Sequence, residues 1–408
     1  MREVKRVYKM NIYPQEDGYE MLLGFCHKSK NIYNRVMYIQ RHCIFDNKKL
    51  EGNYTISKEL QEDKEYPDYS FMPTAQSAQQ TIKQACSVWK SYLRAIKEYK
   101  KNPDKFSGKP RLPRYKEKDG FYPLTFTNQN CKIRDGFITF PKSCGNFILQ
   151  FDKTKFKNFV KLSEVKIVPK KNKLIVLITY TKSIWDVSTK KPKHILGIDI
   201  GINNLASCVD DKGEVSFIID GRKLKSINQG YNKNLSRYIS KMEKMNKRKT
   251  SKFLYSLVEN RNNRVEDYLQ KATRQIINRC KENNIDTIVI GYNKGWKDND
   301  IESGKFNQNF NFIPFRRFID ILKYKCEEEK IRLIETEESY TSGTSFIDGE
   351  KSIKRNYDKT RRKKRGLFLS NIGTYINADI NGAYQIINKV LPCRYKAGYK
   401  LHGYRCAI

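Results

Sequence analysis

Apolar residues recur with two different periods along the chain, and these periods divide it into segments of different structure. At residues 17–45 and 74–100 they return every three or four positions, which predicts two long amphipathic helices. Residues 5–13 alternate well enough for a strand, and residues 121–183 hold several short apolar runs typical of strands. Between the helices and those strands, residues 101–120 are basic and punctuated by proline and glycine, which predicts a surface loop.

Strands and helices alternate in the second half, after a polar linker at residues 186–194. The pattern predicts the order β-β-β-α-β-α-β-α, with strands at 194–201, 205–211, 214–220, 286–291 and 331–338, and helices within 226–284, at 314–329 and from 377 onward. This order is typical of a mixed sheet that is covered by helices on both faces.

The charge of the chain indicates a polyanionic partner. Among 408 residues, 80 are Lys or Arg and 44 are Asp or Glu, which leaves a net charge of +36. Such an excess repels itself in a compact fold, and phosphates are the simplest group to neutralise it. We therefore expect a nucleic acid as the partner. No apolar run is long enough to span a bilayer, so we expect no membrane association.

The ten cysteines indicate neither a zinc site nor a disulfide framework. They never occur as Cys-x-x-Cys, and the four histidines are scattered. The first residues are charged and strand-like, unlike a secretion signal. We expect reduced cysteines and a cytoplasmic protein.

Two aspartates stand where a metal-dependent nuclease needs them. Asp199 lies in "GIDIG" at the end of the first apolar strand of the second half, and Asp379 lies in "NADING" at the start of the last helix. Taken singly, the first fits a turn aspartate and the second a helix cap. Together, with the intervening strands, they fit an RNase H-like site, in which two divalent ions are held by three or more carboxylates.

At this point the chain resembles the TnpB family, transposon-encoded RNA-guided nucleases related to compact type V CRISPR effectors. The resemblance rests on "GIDIGINNLAS", "IVIGYNKGWK", "ESYTSGTSF" and "INADINGAYQI", together with the weaker "QSAQQTIKQACSVWKSY" and "KPRLPRYK". It covers nearly the whole chain.

The resemblance implies an α+β multidomain protein. An N-terminal β-barrel-like wedge domain would comprise residues 1–14 and 106–185, with a helical recognition insertion at 15–105. A C-terminal RNase H-like (RuvC) α/β domain would comprise residues 195–339 and 377–392. A degenerate target-loading segment at 340–376 and a C-terminal tail at 393–408 would complete the chain.

The chain departs from the family pattern at the third carboxylate. Most of the family ends the fourth strand with a glutamate, whereas this chain has Gly291. The next strand ends in "IETEESYTS", and strand alternation separates Glu335 and Glu337 from Glu338. A subset of the family resembles this arrangement, so Glu338 is our first choice for the third ligand and Glu337 the second. A solvated acidic pair at a strand end is the alternative.

The second departure concerns zinc. Residues 340–376 contain no cysteine, whereas most of the family has a zinc ribbon there. We therefore expect no zinc, and two Mg²⁺ ions, with Mn²⁺ as a substitute, held by Asp199, Glu338 and Asp379.

The nucleic-acid contacts are predicted in two places. The run "KTRRKKR" at 359–365 flanks the expected site, and its basic residues are candidates for phosphate contacts: Arg361, Arg362, Lys363, Lys364 and Arg365. In the N-terminal half, the family positions that recognise a short target-adjacent motif match Tyr54, Gln79, Thr127 and Asn128. For each of these four, an ordinary structural role is the alternative.

Three functions are compatible with these features. The first is an RNA-guided DNA endonuclease, whose partners are a guide RNA and double-stranded target DNA. The second is an RNA-guided DNA-binding repressor that no longer cuts, which Gly291 and the missing ribbon favour. The third is an RNA-binding or RNase H-type protein without a guide, which the family-like N-terminal half disfavours.

Overall fold

A computed structural model describes residues 1–187, 189, 191–245, 251–293, 312–364, 366–406 and 408. The chain forms two compact units, Met1–Ile184 (unit 1) and Trp185–Ile408 (unit 2). Each unit combines helices with β-sheet, so the protein is a mixed α/β protein of more than one domain. No helix in the described part of the chain is both long and apolar enough to cross a membrane.

Unit 1 contains three helices and two antiparallel sheets. The helices are α1 (Tyr19–Phe45), α2 (Asn53–Glu62) and α3 (Ala75–Lys101). The strands are β1 (Arg2–Ile12), β2 (Leu124–Thr127), β3 (Lys132–Arg134), β4 (Phe137–Thr139), β5 (Ile148–Gln150), β6 (Phe159–Lys170) and β7 (Lys173–Ile184). One sheet has the order β1-β7-β6-β2 and the other the order β3-β4-β5.

The core of unit 1 forms between the long helices and the four-stranded sheet. Trp89 of α3 and Val36 of α1 are fully buried in one cluster with Phe126 of β2. Helix α3 begins at Thr74, whose hydroxyl oxygen accepts a hydrogen bond from the Ser77 amide at 3.1 Å. The periodicity of residues 17–45 and 74–100 therefore predicted both long helices correctly.

Unit 2 is built on one mixed sheet with the order β12-β11-β8-β9-β10-β15. Its strands are β8 (Ile195–Ile200), β9 (Asn204–Asp210), β10 (Ser216–Asp220), β11 (Thr287–Gly291), β12 (Arg332–Thr336) and β15 (Tyr404–Cys406). The described helices are α4 (Arg222–Lys244), α5 (Lys252–Glu282), α6 (Phe315–Glu328) and α7 (Ala378–Val390). A small hairpin of β13 (Leu367–Leu369) and β14 (Tyr375–Asn377) precedes α7.

Side-chain alternation divides the residues of this sheet between two cores. Leu196, Ile198 and Ile200 of β8 belong to the cluster formed with α5 and α6. Ile195 of the same strand belongs to the cluster on the opposite face, which includes Ile387 of α7. The odd-numbered residues of β8, Asp199 among them, therefore point toward the α7 side.

Four strands were missed by the sequence analysis: β3, β13, β14 and β15. The last of them lies within the predicted tail 393–408 and pairs in parallel with β10. Each of the four has only three residues, too few for a periodic pattern. Strand β12 ends at Thr336, two residues earlier than predicted, so Glu337 and Glu338 follow the strand.

Candidate active site

Asp199 lies where α7 approaches the sheet most closely. A Cβ on Gly197 would lie 2.5 Å from the carbonyl oxygen of Ala383, so a glycine in β8 lets the helix contact the strand. A Cβ on Gly382 of α7 would lie 2.8 Å from Asp199 Oδ2. The space that Gly382 leaves is therefore occupied by the Asp199 carboxylate.

Asp379 is held at the beginning of α7. The side-chain oxygen of Asn377 accepts hydrogen bonds from the Asp379 and Ile380 amides, at 3.0 and 3.2 Å, and caps the helix. Asn204, the first residue of β9, donates its Nδ2 to Asp379 Oδ2 at 2.5 Å. Arg362 Nη2 lies 3.8 Å from the other carboxylate oxygen. The cap sets the backbone of Asp379, and Asn204 sets its carboxylate.

Glu338 approaches the same face from beyond the end of β12. Strand β12 is parallel to β11, which pairs with β8. Asn293, just after β11, accepts the Glu338 amide at 3.1 Å and lies 3.5 Å from Glu338 Oε1. A Cβ on Gly291 would lie 3.1 Å from Glu338 Cβ. The missing side chain at Gly291 therefore leaves room for Glu338.

The neighbouring glutamates are oriented differently. Arg316 of α6 forms an ion pair with Glu335, 2.6 Å from Nη1 to Oε2, on the opposite face of the sheet. Glu337 is exposed and accepts the hydroxyl of Ser339. Glu338 is therefore the glutamate of this group whose charge acts on Asp199.

Burial and charge shift the pKa of two of these carboxyl groups, Asp199 and Glu338. Burial, followed by repulsion from Asp379 and Glu338, raises the pKa of Asp199 well above its ordinary value. Burial raises the pKa of Glu338 to about 7, and Lys389 opposes that shift. Carboxyl groups with such raised pKa values are unstable as anions unless a cation is close.

The donor set fits hard divalent cations. It contains only oxygen ligands, and Glu338 Oε2 is buried without a hydrogen-bond partner among the described residues. Arg362 and the Ile200 amide only partly offset the rise in the pKa of Asp199 that burial and the two acidic neighbours cause. Asp199, Glu338 and Asp379 are thus the residues that would hold such ions.

A second group of possible ligands lies at the other end of β8. Ligand atoms of His194, Asp210 and Asp211 lie within 4.8 Å of one another, closer than the three carboxylates above. These groups already bind each other and the backbone. Asp210 accepts His194 Nε2 at 2.9 Å and the Val215 amide at 2.8 Å, and Asp211 accepts the Ile195 amide at 2.9 Å. We interpret this group as a structural junction between β8 and β9.

Arg361, predicted as a phosphate contact, has a different role in the structure. Its side chain is 10% exposed, and its guanidinium binds Asp348 Oδ2 at 2.6 Å and both oxygens of Glu350 at 2.8 and 2.9 Å. It also lies 5.2 Å from the centre of the Phe368 ring. All of these contacts hold residues 340–376 together, so we correct that assignment.

Helix α7 carries this segment beside the carboxylates. Asn381 donates its Nδ2 to the Thr344 carbonyl at 2.8 Å and accepts the Phe346 amide at 2.9 Å. The Phe346 ring stacks on Tyr384, with ring centres 4.3 Å apart. The segment is thus fixed to the helix whose first turn holds Asp379.

The other predicted nucleic-acid residues remain accessible. Arg362, Lys363 and Lys364 are exposed, whereas Arg365 lies outside the described residues. Residues 294–311, which include the end of the "IVIGYNKGWK" motif, also lie outside them. In unit 1, Tyr54 is 82% exposed at the start of α2. Gln79 of α3 and Asn128 are also exposed.

Thr127 lies close to the beginning of α3. Its hydroxyl donates to Asn130 Oδ1 at 3.1 Å, and that oxygen also accepts the hydroxyl of Thr74, the residue that caps α3, at 3.2 Å. The turn with Thr127 and Asn128 is therefore tied to the helix that carries Gln79.

Sequence reasoning missed the residues that position the carboxylates. Asn204 and Asn293 are asparagines in quoted motifs, "GINNLAS" and "IVIGYNKGWK", and Gly382 is in "INADINGAYQI". Each of them acts through a contact between distant parts of the chain. The available signal was a polar or small residue near a strand end or in the first turns of the last helix.

Two family models match unit 2 and the end of unit 1. Residues 176–297 match the family OrfB_IS605, described as a probable transposase, and residues 315–386 match the Cas12f1-like TNB domain. None of the curated proteins matches the chain. The matches confirm the resemblance to TnpB and compact type V effectors.

Two solved structures are similar to this chain. A Cas12f1–sgRNA–target DNA complex is 15% identical with a TM-score of 0.55, over 90% of this chain and 82% of that one. The mini RNA-guided endonuclease CRISPR-Cas_phi3 is 9% identical with a TM-score of 0.49, over 98% and 94%. The first of these shows a shared fold.

Removing the Glu338 carboxyl should change how stability depends on pH in the absence of divalent ions. The folded protein binds this proton more tightly than the unfolded chain, with a pKa of about 7 against an ordinary 4.5. The free energy of unfolding therefore falls as pH rises from 4.5 to about 7, because the unfolded chain releases this proton there while the folded state still holds it. Melting temperatures are measured in EDTA at several pH values in this range. The difference between Glu338→Gln and the wild type should increase with pH, because only the wild type loses stability.

Glu337→Gln is the matched control for this measurement, because it removes an exposed carboxylate one residue away. Its melting-temperature difference from the wild type should stay flat over the same pH range. A flat difference for Glu338→Gln as well would contradict the burial of Glu338.

Removing the Arg361 guanidinium should destabilise unit 2. Arg361→Met leaves Asp348 and Glu350 as poorly solvated, unpaired anions, and breaking such a pair from one side costs about 3–5 kcal/mol. Denaturant unfolding should show this loss, whereas Lys363→Met, at an exposed position, should change stability by less than about 0.5 kcal/mol. Equal stability of the two variants would refute the structural role of Arg361.

Proposed function

We propose that this protein is an RNA-guided DNA endonuclease of the TnpB and Cas12f type. It cuts target DNA beside a short adjacent motif with a RuvC-like site formed by Asp199, Glu338 and Asp379. The observation that carries the proposal is the convergence of these carboxylates, from β8, from the end of β12 and from the start of α7, on one face of the sheet. The raised pKa of Asp199 supports a cationic occupant.

The proposed cofactor is a pair of Mg²⁺ ions, with Mn²⁺ as a substitute. When bound, such a pair stabilises the attacking and leaving oxygens of an in-line phosphodiester displacement. Residues of the chain orient the ligands: Asn204 holds the carboxylate of Asp379, and Asn293 holds Glu338 by its amide. Arg362, next to Asp379 and exposed, is available for a phosphate of the strand that is cut.

The proposed partners are a guide RNA and double-stranded target DNA. The net charge of +36 supports this, and the similar Cas12f1 structure was determined with a guide RNA and target DNA. Pairing with the guide would select the target, while the protein reads only a short motif. Tyr54, Gln79, Thr127 and Asn128 are proposed for that motif. The wedge, recognition insertion and target-loading segment are proposed with the residue ranges given above.

The second candidate is an RNA-guided repressor that binds without cutting. Gly291 favours it, because the usual glutamate is absent from the end of β11. The position of Glu338 argues for the nuclease, since a binding protein gains nothing from a third carboxylate near Asp199. The two functions share every partner and differ only at the carboxylate site.

Substitution of the carboxylates separates the two candidates. Asp199→Ala, Asp379→Ala and Glu338→Gln should each abolish Mg²⁺-dependent cleavage of target DNA, because each removes a ligand of the ions. Binding of guide and target should be unchanged, since it depends on base pairing and phosphate contacts. Cleavage assays and gel-shift titrations on the same preparations measure both effects.

Glu337→Gln and Glu335→Gln serve as controls and should cut at the wild-type rate. Normal cleavage by Glu338→Gln together with loss in Glu337→Gln would move the third ligand by one residue. A wild-type protein that binds its target but cuts with neither Mg²⁺ nor Mn²⁺ would establish the repressor.

Gly382→Ala tests the geometry around Asp199 without removing a ligand. The added Cβ would lie 2.8 Å from Asp199 Oδ2 and should displace that carboxylate, so cleavage should fall many-fold. Folding should be retained, because alanine favours a helix over glycine by about 1 kcal/mol. Gly230→Ala in α4, where nothing lies within 4 Å of the new Cβ, is the matched control and should cut normally. Equal activity of the two variants would mean that Asp199 does not need this space.

A further inference from the structure

A cleft of about 530 Å³ opens in unit 1, and none of the positions proposed to read the target motif lines it. Helix α1 contributes Asn31, Arg35 and Tyr38 to its lining. The short turn after α2 contributes Tyr66 and Asp68, and the basic loop contributes Tyr115.

Three aromatic rings that line this cleft are partly exposed. Tyr38, Tyr66 and Tyr115 are 46%, 48% and 43% exposed. The guanidinium of Arg35 lies 5.3 Å from the centre of the Tyr38 ring and 4.9 Å from that of Tyr66, and the His42 ring lies 4.0 Å from that of Tyr38. The exposed part of such a group of rings and cation forms a surface on which another flat ring can stack.

The polar groups of the cleft favour a neutral ligand with a hydrogen-bonding edge. Asn31 donates its Nδ2 to Asp68 Oδ1 at 2.9 Å. Arg35 pairs with Asp63 at 3.3 Å, and its Nε is buried without a hydrogen-bond partner among the described residues. The two aspartates disfavour a phosphate inside the cleft, whereas amide, guanidinium and carboxylate groups together suit the edge of a base.

The wall that carries Tyr115 is fixed. Asn34 of α1 donates to the carbonyl of Lys116 at 3.0 Å and accepts its amide at 2.8 Å. The guanidinium of Arg41 lies 4.3 Å from the centre of the Tyr115 ring. The cleft therefore exists before any ligand binds, so stacking there carries a small ordering cost.

We propose that this cleft binds one unstacked nucleobase of a nucleic-acid strand, with Tyr38 and Tyr66 stacking on the base. Asn31 and Asp68 contact its edge, and the backbone phosphates stay outside. The volume is within the range of sites for small planar ligands, about 300–1,000 Å³. The inference rests on the nucleic-acid binding proposed above and is independent of cleavage.

Fluorescent oligonucleotides test this binding mode with the full chain. One single-stranded RNA and one DNA of the same sequence carry a 2-aminopurine, whose fluorescence is quenched when it stacks. We expect quenching by the wild type, and loss of it together with roughly 10-fold weaker binding in the double variant Tyr38→Leu/Tyr66→Leu. A response of the RNA alone, or of the DNA alone, identifies the strand that supplies the base.

Two further variants keep the test decisive. Tyr38→Phe/Tyr66→Phe keeps both rings and should quench like the wild type. Tyr13→Leu removes a ring of unit 1 that is 41% exposed and outside the cleft, and should also quench normally. Wild-type quenching in the double leucine variant would overturn the inference while leaving the proposed function intact. Failure of the wild type to bind either oligonucleotide would overturn both.

Discussion

Close packing of α7 on the sheet is the constraint on which the candidate site depends. A Cβ at Gly197, Gly291 or Gly382 would lie 2.5, 2.6 or 2.8 Å from a neighbouring atom of the helix or of Asp199. These glycines bring helix and strands into direct contact, because no side chain separates them. Asp379, in the first turn of α7, thereby reaches the strand that carries Asp199, and the same contact fixes the cysteine-free segment through Asn381.

A side chain at position 291 would occupy space next to Glu338, so the absence of a glutamate there and the position of Glu338 are related. A side chain at position 291 would meet Ile386 and the Cβ of Glu338 at once. The loss of the carboxylate at the end of β11 and the arrival of one from beyond β12 are therefore linked sterically. Asn293 helps to fix the position of Glu338, because its side-chain oxygen accepts a hydrogen bond from the Glu338 amide. A chain that kept both glutamates would have to shift the side chain of Ile386 and the backbone that carries Glu338.

Much of this arrangement could be predicted from local pattern, and the remainder depends on contacts between distant segments. Helices α1 and α3 and the central strands follow from apolar periodicity, whereas the choice of Glu338 over Glu337 came from the motif on which the resemblance rests. The burial of Arg361 could not be predicted, because a run of basic residues looks alike whether or not Asp348 and Glu350 lie nearby. Strand β15 was missed because three residues are too few for a periodic pattern, and its partner strand lies far away along the chain.

The pairing of β15 with β10 has a consequence for protein synthesis. Strand β10 ends at Asp220 and its partner begins at Tyr404, 184 residues later. At roughly 5–20 residues per second, a ribosome needs about 10 to 40 seconds to make the intervening chain. Throughout this time the outer edge of β10 presents free backbone groups to any other strand, including those of neighbouring nascent chains. Pairing of that edge with β15 therefore has to wait until residues 404–406 have been synthesised.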